Sequence, residues 1–498
     1  MAARSHAVTR MTPLGCLAAA LLLIAGIAAI PSAVLAQGKK PAAGSTDYVD
    51  KIRNLTFTDD FDAMVKRGYI RVLVVFSKTY YFIDKGRQRG LTYEAFTVLD
   101  QDLKKQLKLK KRKLQIVFIP VTREKLLPEL IAGHGDIAAA GITVTPERQK
   151  QVDFSNSILG KIDEVVVTGP ESPEIASIED LSGQQVFVRK SSSYWEHLEG
   201  LNAKLTAAGK KPIELKPAPE SLEDEDLMEM VNGGLVKFVV VDKPIAEVWA
   251  KALPKIKVRA DLAVNTGGDF AWAFRKGSPQ LAKVINDFIA RHGQSDAARG
   301  EIIRKYLKST RLVKDSTTSA ELAKFESTVA IFKKYSDQYN ADYLLMMAQG
   351  YQESGLDQTV KSRVGAVGVM QVMPSTGKEM KVGDIKQLDS NINAGVKFLT
   401  LMRDEYFHDD GMDDLNRLLF SFAAYNAGPN RILRLRKLAG ERGFDPNVWF
   451  SNVEVVVAEK VGMETVTYVG NIFKYYVAYK LVTEVAEERE KAKAGAKQ

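Results

Sequence analysis

Residues 314–354, KDSTTSAELAKFESTVAIFKKYSDQYNADYLLMMAQGYQES, divide the chain into two kinds of sequence. The first seven are rich in Ser, Thr and Asp and interrupt the apolar periodicity, which is the composition of a connection between domains. Beyond them apolar residues recur at helical spacing and predict helices over 323–339 and 343–354. The same period returns at 392–406, 416–425 and 465–483, while strand-like runs nearly vanish. Upstream the pattern is different. Short β-branched runs at 70–76, 116–119, 137–140, 164–168, 185–188 and 238–241 alternate with helical periods, which predicts α/β layers built on sheets. The expectation is a multidomain chain, since 498 residues exceed what one core usually supports.

At the amino end Arg4 and Arg10 precede an apolar run over 14–30, and Val34-Leu35-Ala36 supplies small residues for cleavage. Residues 1–36 are therefore expected to be a secretory signal peptide, followed by a leader over 37–66 whose first stretch, 37–46, is small and polar. A retained anchor is the competing reading, because the run approaches the roughly 20 residues that span a bilayer. Cys16, the only cysteine, precedes most of the apolar run, and Pro13 stands where a lipobox has Leu, which argues against lipidation. The mature chain would then hold no thiol and no disulfide.

The formal charge of +9 falls by two, to +7, when Arg4 and Arg10 leave. That excess favours loose attraction to anionic cell-wall polymer or lipid headgroups and is too diffuse to argue for nucleic acid. The densest basic run, 104–113, reads as a solvated helix face. His6, His134, His197, His292 and His408 never fall at metal-ligand spacing, so neither a metal nor another cofactor is expected.

Glu353 ends the apolar helix of Leu344, Leu345, Met347, Ala348 and Tyr351, just before the loop Gly365-Ala366-Val367-Gly368. A carboxyl at such a junction can be desolvated and its pKa raised, as a general acid near neutral pH requires. The same pattern also describes an ordinary surface Glu. Asp357, four residues on, is the alternative second carboxylate, although Gly355 weakens a continuous helix between them.

Five motifs follow in order: Glu353-Ser354; Gly365 through Pro374 (GAVGVMQVMP); Asn391-Ile392 with Gly395; Ala424-Tyr425-Asn426-Ala427-Gly428-Pro429; and Glu464-Thr465 with Tyr468-Val469. In this the segment 321–485 resembles the lytic transglycosylase family of goose-lysozyme-like fold. The resemblance implies cleavage of the β-1,4 bond between N-acetylmuramic acid and N-acetylglucosamine in peptidoglycan, with Glu353 as acid and base and a 1,6-anhydro product. It also implies sugar contacts from Ser362, Gln371, Tyr425 and Asn426, with Tyr425 bracing the catalytic carboxyl. Glu464 is either a structural support or a binding carboxylate. Where the family has Pro after the position of Asp357, this chain has Gln358, which puts the loop entry in question.

A second resemblance covers 67–312. Gly133-His134-Gly135-Asp136-Ile137, Gly141 through Arg148 (GITVTPER), Val152-Asp153-Phe154-Ser155, Val188 through Tyr194 (VRKSSSY), Val241-Asp242 and Phe274 through Pro279 (FRKGSP) are similar to the periplasmic amino-acid-binding proteins. The resemblance implies two α/β lobes with crossings near 163–168 and 259–266. It assigns the ligand's α-carboxylate to Arg148, its α-ammonium to Asp242, and further contacts to Thr143, Ser192 and Ser193. A guanidinium at one pole and a carboxylate at the other suit a zwitterion.

The organisation expected is thus signal peptide, leader, two-lobed solute-binding domain, linker over 313–320, mainly α lysozyme-like domain, and a charged tail over 486–498. The partners expected are peptidoglycan strands and an amino acid or muropeptide that alters turnover, in the periplasm and peripheral to the outer membrane. Two other readings predict different chemistry: a solute receptor with a non-catalytic wall-docking module, or a hydrolysing muramidase that leaves reducing ends.

Overall fold

The computed structural model describes residues 52–108, 114–292 and 319–495. The expected export segment, residues 37–51 of the leader, much of the basic run and most of the linker lie outside the described residues.

The α/β part carries the strands β1 (Tyr69–Val74), β2 (Phe82–Asp84), β3 (Arg87–Arg89), β4 (Gln115–Pro120), β5 (Ile137–Thr143), β6 (Asp153–Phe154), β7 (Lys161–Thr168), β8 (Gln185–Arg189), β9 (Glu214–Ala218), β10 (Phe238–Asp242) and β11 (Lys257–Phe274). The main sheet runs β10-β7-β11-β5-β1-β4. Strand β1 pairs in parallel with β4 and β5 and is buried along its whole length, which explains its uninterrupted apolar sequence. The first lobe is built on these strands. In the second lobe β7 pairs with β10, while β8 and β9 form a separate parallel pair.

The 18-residue β11 joins the lobes. Residues between Lys257 and Asp269 pair with β7, and those between Phe270 and Phe274 pair with β5. Both stretches expected as crossings therefore lie on adjacent antiparallel strands. The second lobe has its own core of Val166, Val186, Val188, Tyr194, Leu198 and Phe238. The core of the first lobe is continuous with that of the C-terminal helices.

Those helices are Ser319–Gln338, Tyr343–Ser354, Pro374–Met380, Leu388–Tyr406, Asp414–Ala427, Pro429–Glu441, Glu454–Lys460 and Met463–Gly495. Helix Tyr343–Ser354 begins where Asp342 accepts hydrogen bonds from the amides of Leu344 (2.8 Å) and Leu345 (3.3 Å), and it stops at Gly355, whose φ is 70°. All eight residues from Leu344 to Tyr351 are buried, so this helix crosses the core rather than covering it. The last helix continues to Gly495 instead of ending near 484. Among the described residues no helix is long and apolar enough to cross a membrane.

Candidate active site and interlobe site

Glu353 lies in the final turn of Tyr343–Ser354 and is half-buried. The hydroxyl of Tyr468, from helix Met463–Gly495, donates to its Oε1 at 2.5 Å. Gln349, one turn before Glu353, donates from Nε2 to that same Tyr468 oxygen at 3.2 Å. Burial, and then the Glu353 charge, push the Tyr468 phenol well above its ordinary pKa, so it stays a donor. Tyr425 behaves differently from expectation. Its hydroxyl donates to the Met370 carbonyl at 3.0 Å, and the phenol bonded to the Glu353 carboxyl is Tyr468. Tyr425 still senses Glu353, whose charge adds to burial in raising the Tyr425 pKa.

The loop facing Glu353 is fastened by side chains. Ser354 Oγ donates to the Val369 carbonyl (2.9 Å) and accepts from the Asp357 amide (3.1 Å), tying helix end to loop. Buried Asn391 accepts from the Met370 amide at 2.9 Å and donates to the carbonyls of Val367 and Ile385, both at 2.9 Å. Gln358 donates to the carbonyls of Ile385 (3.1 Å) and Lys386 (3.0 Å) and accepts from the Val369 amide at 3.1 Å. The residue that stands in place of the family's Pro thus holds the loop entry through its side chain.

Ser362 Oγ accepts from the Ala366 amide at 2.9 Å. Gln371, in left-handed conformation with φ 46°, donates to the carbonyls of Val360 (3.1 Å) and Gly368 (2.8 Å). Asn426 Oδ1 accepts from Thr465 Oγ1 at 2.7 Å, and Glu464 is exposed in the first turn of the last helix. Asp357 is engaged elsewhere: it accepts from the Thr359 amide (2.8 Å) and hydroxyl (2.7 Å), and these bonds lower its pKa. Gln349 and Tyr468 are absent from the residues read as a site in the sequence. The available signal was polar spacing, since Gln349 and Glu353 are four apart on an otherwise apolar helix and so share a face.

Between the lobes lies a polar cavity of about 270 Å³, lined by Thr143, Arg148, Ser192, Ser193 and others. Arg148 spans it, donating to the carbonyls of Thr143 (3.0 Å) and Ser191 (2.9 Å), with Nε 3.3 Å from Glu196. Ser192 caps helix Ser193–Ala207 by accepting from the Trp195 amide at 3.3 Å, and Ser193 donates to Glu164 at 2.7 Å. Asp242 does not line this cavity. It is 2% exposed, its Oδ1 is buried without a hydrogen-bond partner, and burial together with Glu164 and Asp224 pushes its pKa well up. A larger cavity of about 700 Å³, lined by residues such as Leu91, Ile158, Val248 and Trp272, contains none of the five expected ligand residues.

The two domains meet at a buried ion cluster. Lys474, on the helix that carries Tyr468, donates to Asp226 (3.1 Å) and Glu229 (2.5 Å) of second-lobe helix Asp224–Asn232. Lys78 of the first lobe donates to the same Glu229 at 2.9 Å.

Comparison with known proteins accounts for both halves. The family described as Transglycosylase SLT domain matches residues 330–448, and that described as Bacterial extracellular solute-binding proteins, family 3, matches residues 74–309. A protein of Desulfosudis oleivorans named membrane-bound lytic murein transglycosylase F is 28% identical over 433 residues, covering 82% of this chain and 90% of that one. One of the same name from Pseudomonas fluorescens is 27% identical over 451 residues, covering 86% and 88%. Among solved structures, an ancestral arginine-binding protein bound to arginine is 27% identical and covers 48% of this chain and 98% of that one, with a TM-score of 0.37. This chain thus carries a match to the family 3 solute-binding proteins followed by a match to the SLT domain, and over most of its length it is similar to proteins named membrane-bound lytic murein transglycosylase F.

Proposed function

We propose that the enzyme, a peptidoglycan lytic transglycosylase, works through Glu353 as its single acid and base. Glu353 protonates the glycosidic oxygen between N-acetylmuramic acid and N-acetylglucosamine as that bond breaks. It then takes the proton from the C6 hydroxyl of the muramoyl residue while that oxygen bonds to C1, which closes a 1,6-anhydro ring. The observation that carries this reading is the placement of Glu353 under the Tyr468 hydroxyl at a loop-facing helix end, while Asp357 is held by Thr359. No second carboxylate is needed, because the nucleophile is part of the substrate and gains from proximity. Ser362, Gln371, Tyr425, Asn426 and Glu464 serve as the sugar-binding set.

The solute-binding domain, over 67–312, takes an amino acid or the peptide end of a muropeptide. The unpartnered Asp242 oxygen supports an ammonium subsite, and a ligand carboxylate would displace Glu196 and the Ser191 carbonyl from Arg148, with Thr143, Ser192 and Ser193 alongside. Ligand occupancy alters turnover at Glu353 in the domain over 321–485. The chain is exported through residues 1–36 and works in the periplasm, associated peripherally with a membrane.

The deciding experiment is mass spectrometry of peptidoglycan digested by the wild type and by Glu353→Gln. Anhydromuropeptides from the wild type alone are expected. Reducing-end products would replace this reading with hydrolysis, and no digestion by folded wild type would replace it with a receptor.

A further inference from the structure

Gln349 is a polar side chain with 0% exposure in a helix whose neighbouring positions are apolar. Its Nε2 reaches the Tyr468 hydroxyl, but its Oε1 is buried with no hydrogen-bond partner. Such a residue is a cost to stability that Met or Leu would avoid, so its presence there calls for a role.

Hydrogen-bond bookkeeping supplies one. A phenol has one proton to give, and Tyr468 touches two groups, Glu353 at 2.5 Å and Gln349 at 3.2 Å. With the amide nitrogen facing Tyr468, the phenolic oxygen already accepts, and its own proton is turned towards Glu353. The reverse amide orientation would set two acceptors competing for that proton. Donor chains of this kind also strengthen each member.

We propose that Gln349 is a positioning residue, which fixes Tyr468 as a donor to Glu353 Oε1 and thereby places the acidic proton of Glu353 on Oε2. The proposal rests on the reading of Glu353 as the acid. A donor on Oε1 stabilises the carboxylate relative to the neutral acid. The titratable side chains that act on Glu353 from neighbouring helices include Tyr468 and Tyr425, both kept neutral by burial. Without Gln349, Tyr468 can rotate to accept from protonated Glu353, which stabilises the neutral acid and draws its proton to Oε1.

The test is the pH dependence of anhydromuropeptide release from purified sacculi, using wild type, Gln349→Met, Gln349→His, Tyr468→Phe, Gln349→Met/Tyr468→Phe and Glu353→Gln. Gln349→Met is expected to fold with an undiminished melting temperature and to move the basic limb up by about half to one pH unit, with a plateau roughly three- to tenfold lower. Gln349→His, which keeps an N–H at similar reach, should hold the limb near its wild-type position. The double variant should match Tyr468→Phe alone. An unmoved limb in Gln349→Met, equal shifts in Met and His, or additive shifts in the double variant would each overturn the proposal. Glu353→Gln separates the two levels: anhydro products from it defeat the reading of the acid, whereas a dead Glu353→Gln beside an unmoved Gln349→Met limb defeats only the positioning role.

Discussion

Gly368 shows how narrowly the loop opposite the acid is specified. Its φ is +77°, and an added Cβ would run into the Asn391 amide and lie 2.6 Å from Gln358 Oε1. Gly368→Ala should therefore cost roughly 2–4 kcal/mol, from the left-handed backbone and the overpacking together, read as a lower urea midpoint. Activity should fall further than stability, because the strands of hydrogen bonds from Asn391 and Gln358 set the Met370 carbonyl on which Tyr425 rests. At this scale the sequence was legible where a residue's type is demanded by backbone or chemistry. Gly368, Asn391, Tyr425 and Glu353 all stand in the ordered motifs. Gln349 and the hydroxyl of Tyr468 were not legible as partners, because their contact joins residues 119 apart in sequence through a helix crossing. In the solute-binding domain Ser192 lines the interlobe cavity while also capping a helix, and Asp242 is buried outside the cavity's lining.

Among elements, the junction before helix Glu454–Lys460 carries a titrating group. Ser451 adopts φ 57° in the turn Trp449–Val453, and its amide donates to Glu454 Oε1 at 2.5 Å. Burial, with Asp226 nearby, pushes the Glu454 pKa up to about 8. The folded state then binds the proton more tightly than the unfolded chain, so stability is greatest below the unfolded pKa of 4.5 and is lost as pH rises towards about 8. Glu454→Gln should leave the melting temperature at pH 4.5 nearly unchanged. At pH 8.5 it should stabilise the protein by roughly 2–4 kcal/mol, measured by paired thermal melts. Element type was well indicated by period. The runs at 70–76, 116–119 and 137–140 became β1, β4 and β5, and the helical periods after 320 became helices. Strand β11 escaped because KVRADLAVNTGGDFAWAF mixes charge, Gly-Gly and a pattern that changes from exposed to fully buried midway, as it passes from one lobe to the other. Helix Pro429–Glu441 escaped because its exposed Arg and Lys residues dilute the apolar stripe of Ile432, Leu435 and Ala439.

In the whole molecule, Lys474 is the point where the domains depend on each other. Its side chain is 2% exposed between Asp226 and Glu229, and Lys78 approaches Glu229 from the first lobe. Replacing it with Met leaves buried carboxylates with only one ammonium. The expected loss is about 3 kcal/mol, and calorimetry should show a single transition become two as the domains melt apart. A single lowered transition without splitting would mean that the cluster contributes stability but not cooperativity. The two-domain order was readable from motifs. The cluster was not, since Asp226 and Glu229 look like surface charges in a sequence so rich in acids as 223–229. The last helix also bears on how the enzyme can be handled. Met463–Gly495 holds Tyr468 and Lys474 six residues apart, about 9 Å along the axis. A trimmed biocatalyst made from the C-terminal segment alone would keep the phenol over Glu353 but bare an ammonium built to lie against another domain. Its shelf life and pH tolerance would be those of a fragment, and inhibitor screens run on it would never meet the surface that ties the Tyr468 helix to the solute-binding domain.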